Sequence, residues 1–107
     1  MKNREKQIKR IQEMEESYDR LLLAQGHLES ALNEFSAVQK DTKKLAAYYG
    51  SGAWKQDFED DELALLPRDL KRGVLSEDGL YDALTLHRQL MIRMLDQINE
   101  ALKKNSI

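Results

Sequence analysis

From Asn3 to about Tyr49, apolar residues recur at helical spacing. Ile11, Met14, Tyr18, Leu21, Leu28, Leu32, Phe35 and Tyr49 follow alternating steps of three and four, with Gln25, Gln39, Thr42 and Ala46 on the same seam. Leu22, Ala24, Ala31, Val38 and Leu45 broaden it into a heptad-like, coiled-coil type of stripe. Lys, Glu, Gln and Arg, all good helix formers, fill most other positions. Gly26 is the one candidate break. A lone mid-helix glycine costs about 1 kcal/mol relative to alanine, and the seam keeps its phase from Leu21 through Gln25 to Leu28. One continuous helix over 3–49 is therefore expected, with Gly50 placed for a left-handed C-terminal cap.

A second helix is expected over 76–104. Ser76 stands at its N-cap, Glu77 and Asp78 in its first turn, and Leu75 and Leu80 are spaced as a hydrophobic staple. Gly79 occupies the position where a full capping box would have glutamate. Leu80, Leu84, His87, Met91, Met94, Ile98 and Ala101 form its seam, and Lys103-Lys104 suit its C-terminal dipole. Residues 50–75 form the connector. Gly50-Ser51-Gly52 reads as a turn, an acidic run follows, and Pro67 to Arg72 reads as a short helical turn closed by Gly73. A plain loop this long is uncommon, so the connector is expected to fold against the helices.

The pattern predicts an all-α fold: a long N-terminal helix and an antiparallel C-terminal helix joined by a structured, partly helical connector, within a single domain over 1–107. Length then constrains assembly. A helix of about 47 residues spans roughly 70 Å, whereas the second helix of about 28 residues spans roughly 42 Å. In such a hairpin Ile8, Ile11, Met14 and Tyr18 lack a partner within one copy, and exposed stripes of this kind mark interfaces. Self-association, most simply as a symmetric homo-dimer, is expected. The alternatives are a connector folded back over the stripe, or a turn at Gly26 giving a compact three-helix bundle.

Composition removes several functions. The chain has 107 residues, 34% of them charged, one proline and no cysteine, which excludes disulfides, thiolate metal sites and a thiol nucleophile. Net charge is −2, so there is no overall attraction to nucleic acid or an anionic membrane. Lys2, Arg4, Lys6, Lys9 and Arg10 make a basic arm, but Glu13, Glu15, Glu16 and Asp19 follow directly and would repel phosphates, so nucleic-acid binding is not expected. No signal peptide or membrane-length apolar run is present, and a soluble, cytoplasmic protein is expected.

The acidic cluster Asp57, Glu59, Asp60, Asp61 and Glu62 lacks the alternating ligand spacing of a calcium loop and reads as a solvated run paired with Lys55, Arg68, Lys71 and Arg72. His27 and His87 belong to no helical ligand pair. Ser51, Ser76 and Thr85 lack a nucleophile-elbow context, and Gly50-Ser51-Gly52 lacks the Gly-Lys-Ser/Thr of a phosphate loop. No catalytic, cofactor-binding or metal-binding residue is assigned.

Four of the seven aromatic residues, Tyr48, Tyr49, Trp54 and Phe58, crowd into one short segment beside acids. They either lock the connector onto the helix ends or build a pocket for a peptide or small ligand. The same residues carry a resemblance. Tyr48-Tyr49-Gly50-Ser51-x-x-Trp54-x-x-Asp57-Phe58-Glu59, then Leu66-Pro67-x-Asp69-Leu70-Lys71-Arg72-Gly73-Val74-Leu75-Ser76-Glu77-Asp78-x-Leu80-Tyr81, resembles a family of short bacterial proteins classed as a domain of unknown function. The resemblance implies a bacterial source and a free-standing helical domain; it transfers no activity.

The expected function is a protein–protein interaction or assembly module. Its candidate interaction surface is Tyr48, Tyr49, Ser51, Trp54, Asp57, Phe58, Glu59, Asp69 and Arg72. A helical-bundle enzyme or small-ligand or metal binder using the same segment is the alternative.

Overall fold

The computed structural model describes residues 2–104; Met1 and residues 105–107, the ends of the expected domain, lie outside the described residues. Among the described residues the protein is all-α, with no strand. Helix α1 runs Lys2–Tyr49, α2 Gly52–Glu62 and α3 Gly79–Lys104, with a 3₁₀ turn at Gly73–Leu75. Two units divide the chain, Met1–Gln39 and Lys40–Ile107.

In the first unit, α1 passes through Gly26 without a break, and a Cβ there would meet nothing within 4 Å. Packing does not ask for this glycine. Ile8, Ile11, Met14, Tyr18, Leu21, Leu28 and Leu32 are all exposed, Ile11 at 51% and Leu28 at 57%. Local bonds accompany the stripe, among them Arg4 Nη1 to Gln7 Oε1 at 3.2 Å and Arg20 Nη2 to Ser17 Oγ at 3.1 Å.

In the second unit, one serine hydroxyl closes α1 and opens α2. Ser51 donates from Oγ to the Tyr48 carbonyl at 2.6 Å and from its N–H to the same oxygen at 3.0 Å. Its Oγ also accepts the Trp54 N–H at 3.2 Å, the N-cap bond of α2. The left-handed cap expected at Gly50 does not form, because no glycine here has positive φ. The Gly50 N–H bonds the Ala46 carbonyl at 3.2 Å, and Ser51 takes the later carbonyl of Tyr48.

The left-handed residue is Ala64 instead, with φ of 57°. Its N–H bonds the Asp61 carbonyl and that of Leu65 the Asp60 carbonyl, both at 3.0 Å, which is a Schellman closure of α2. An alanine there carries a steric cost that glycine would not.

The helical turn expected over Pro67–Arg72 is reduced to one turn, with the Leu70 N–H on the Pro67 carbonyl at 3.2 Å. Gly73 opens the 3₁₀ turn rather than closing a helix. The Arg72 guanidinium takes the Pro67, Arg68 and Leu70 carbonyls at 2.5, 3.2 and 3.3 Å and so braces this single turn.

Ser76 repeats the junction chemistry of Ser51. Its Oγ donates to the Gly73 carbonyl at 3.0 Å and accepts the Gly79 N–H at 3.1 Å. Glu77 and Asp78 fall in the turn ahead of α3 rather than inside its first turn, where the acid is Asp82. Gly79 has a packing reason, since a Cβ would lie 2.2 Å from Ser76 Oγ. Among the described residues Leu75 and Leu80 are the buried hydrophobic ones, 6% and 5% exposed. The 3₁₀ turn that carries Leu75 contacts both α2 and α3. Along α3, Leu84, His87, Met91 and Met94 are half-buried, while Ile98 is exposed.

Three glycine-related variants test these assignments. Gly26→Ala should gain about 1 kcal/mol of helix stability, read as a stronger far-UV helical signal. Ala64→Gly should gain up to about 1 kcal/mol and raise Tm by a few degrees. Gly79→Ala should lose about 1 kcal/mol by displacing the Ser76 hydroxyl, and should cost less when Ser76→Ala is already present.

Candidate functional site

The aromatic and acidic segment forms one cluster in the second unit. Helix α2 places Trp54, Asp57, Phe58 and Asp61 at spacings of three and four, so they share one side of its short length. Trp54 is half-buried between two rings. Tyr49 meets it edge-on, with centroids 4.9 Å apart at 64°, and Phe58 stacks on it at 5.2 Å and 21°. Tyr49 also lies 6.4 Å from Tyr81, so an aromatic chain links the end of α1, α2 and the start of α3.

Polar contacts fix the cluster. The Trp54 Nε1–H donates to the Val74 carbonyl at 2.9 Å, tying α2 to the 3₁₀ turn. The Tyr48 hydroxyl donates to Asp57 Oδ2 at 2.5 Å, tying α1 to α2. Arg72 forms an ion pair with Asp61 while it holds the three carbonyls of the 67–70 turn. Asp57 holds the Tyr48 phenol in its protonated form, because ionisation would sacrifice the hydrogen bond, and desolvation and carboxylate repulsion add to the effect. Its pKa is pushed up to about 12.

Of the sequence-nominated residues, Tyr48, Tyr49, Ser51, Trp54, Asp57, Phe58 and Arg72 are bound into this network. Glu59 and Asp69 are exposed, and among the described residues no side-chain bond joins either to it. Val74 and Tyr81 belong to it without having been nominated. Val74 takes part through its backbone carbonyl, which no residue type advertises; Tyr81 is the last residue of the motif that carries the resemblance.

Beside Tyr48 lies an open depression of about 460 Å³, lined by Asp41, Lys44, Leu45, Tyr48 and Val74. Leu45, Val74 and the Tyr48 ring make it apolar, with one acid and one base. Asp57, Glu59 and Trp54 do not line it. Among the described residues no group of three or more His, Cys, Asp or Glu could hold a metal ion. No helix among them is long and apolar enough to cross a membrane.

These features define an all-α protein whose aromatic and acidic segment is knitted to the neighbouring helix ends. The chain belongs to the family described as a domain of unknown function, DUF4298, which matches residues 11–97 and so takes in the whole Tyr48–Tyr81 motif. No curated protein and no solved structure matches the chain.

Two measurements follow from the cluster. In a spectrophotometric titration, Tyr48 should ionise near pH 12, and Tyr48→Phe should remove that phase. Because the folded pKa is raised, the stabilisation it reports is whole below about pH 10 and is lost as pH rises through 12. Trp54→Phe should cost about 1 kcal/mol through the lost bond to Val74, and Trp54→Ala about 3 kcal/mol through the lost ring contacts as well, both read as denaturant midpoints.

Proposed function

We propose that this chain is an assembly module, a protein–protein interaction domain that pairs with a second copy of itself through the α1 stripe. The observation that carries the reading is the exposure of a regular heptad seam from Ile11 to Leu32, with Ile8 on its flank. Isolated helices in water are marginal, and most helical stability in proteins comes from packing an apolar face. A seam of this regularity is matched by a second helix of the same kind, since knobs and holes then repeat in step.

The aromatic and acidic segment supports this reading by its internal bonding. The Tyr48 hydroxyl, Asp57, Trp54 Nε1 and Arg72 are engaged within the chain. That suits a segment that holds helix ends together better than one that binds a small ligand or metal. The ligand-binding alternative would call on Asp57, Glu59 and Trp54, which lie outside the depression's lining.

Sedimentation or light scattering across a dilution series tests the proposal. The expected result is a dimer mass at high micromolar concentration. Ile11→Glu should weaken it by roughly a hundredfold, the equivalent of about 3 kcal/mol when an apolar contact is lost from both copies. Trp54 fluorescence should stay unchanged in that variant, since its cluster lies in the other unit. A monodisperse monomer at high micromolar concentration overturns the proposal.

A further inference from the structure

The geometry points to a parallel, in-register pairing of the two α1 stripes, an inference that rests on the self-association proposed above. With Ile11 at heptad position a, the a positions are Ile11, Tyr18, Gln25 and Leu32 and the d positions are Met14, Leu21 and Leu28, all on the exposed span of α1. The positions flanking this seam differ in charge. The g side holds Arg10, Ser17, Ala24 and Ala31; the e side holds Ile8, Glu15, Leu22 and Glu29.

That division selects an orientation. In a parallel pair the g position of one helix lies beside the e position of the next heptad on its partner, so Arg10 meets Glu15 of the second copy, twice by symmetry. No parallel g–e pair on this span brings like charges together. An antiparallel pair sets g beside g and e beside e. The base is then confined to one side and both acids to the other, so no antiparallel register forms an attractive pair, and some bring two glutamates together.

Gln25 argues the same way. In register, the two Gln25 side chains share one layer, and each amide supplies the donor and acceptor the other needs. A polar residue at a single a position is a known means of fixing register. In an antiparallel pair Gln25 would face a d position, and Met14, Leu21 and Leu28 leave its amide without a partner, a cost of roughly 1–3 kcal/mol when buried. Gly26, at position b, lies outside the contact.

The cysteine-free chain allows a direct test. Spin labels are placed singly on the outer f positions through Lys9→Cys, Glu16→Cys and Ser30→Cys in the full chain, and inter-copy distances are measured by pulsed electron resonance. Equal distances at all three sites are expected, since parallel helices in register keep every residue beside its own copy. Leu21→Cys and Leu28→Cys should each oxidise to a disulfide-linked dimer. A dimer whose three label distances differ overturns the parallel arrangement and leaves the assembly reading standing. A chain that gives no inter-copy distance and sediments as a monomer overturns both.

Discussion

A chain that is almost all helix has one recurring problem, which is what happens to the orphan carbonyls and N–H groups at each helix end. Here a serine hydroxyl solves it at two junctions. Ser51 and Ser76 each donate to the carbonyl three residues back and accept the N–H three residues ahead. A hydroxyl suits the task because it is donor and acceptor at once. Each of these two junctions therefore stays short, and the one at Ser51 sets Tyr49 of α1 against Trp54 of α2.

Around those junctions the connector is held by groups of different strength. The rings of Tyr49, Trp54, Phe58 and Tyr81 supply apolar contact, and the Trp54–Val74 bond gives it direction. Arg72 is the polar counterpart. Its planar guanidinium serves three carbonyls and one carboxylate, a task a lysine ammonium on a flexible stem is poorly built for. Leu75 and Leu80 complete the unit as a small core next to the Ser76 junction. Many residues of the Tyr48–Tyr81 segment thus act on one another, which gives a physical reason for their clustering in sequence.

The first unit has a different character. It is one helix segment bearing an exposed heptad seam, and none of its described side chains is buried. The charge pattern beside that seam contains more information than the apolar residues themselves. Apolar side chains favour contact without direction, whereas Arg10 and Glu15 distinguish one orientation from the other.

Much of this was determined by sequence alone. The all-α class, the periodic seams of α1 and α3, the continuity expected through Gly26 and the apolar pair Leu75 and Leu80 all follow from local periodicity and capping chemistry, which depend on near neighbours. The site was partly legible, since the crowding of Tyr48, Tyr49, Trp54 and Phe58 picked out the cluster. Tertiary structure decided what depends on atoms distant in sequence. Gly50 ends α1 without the expected left-handed conformation, its N–H on the Ala46 carbonyl, and Ala64 took a left-handed conformation that its residue type disfavours. The 67–72 segment stopped at one turn, braced by the Arg72 guanidinium on its carbonyls. Trp54 found a backbone acceptor twenty residues away. Residue types reveal which bonds a group is able to make; only the folded chain decides which partner arrives within reach.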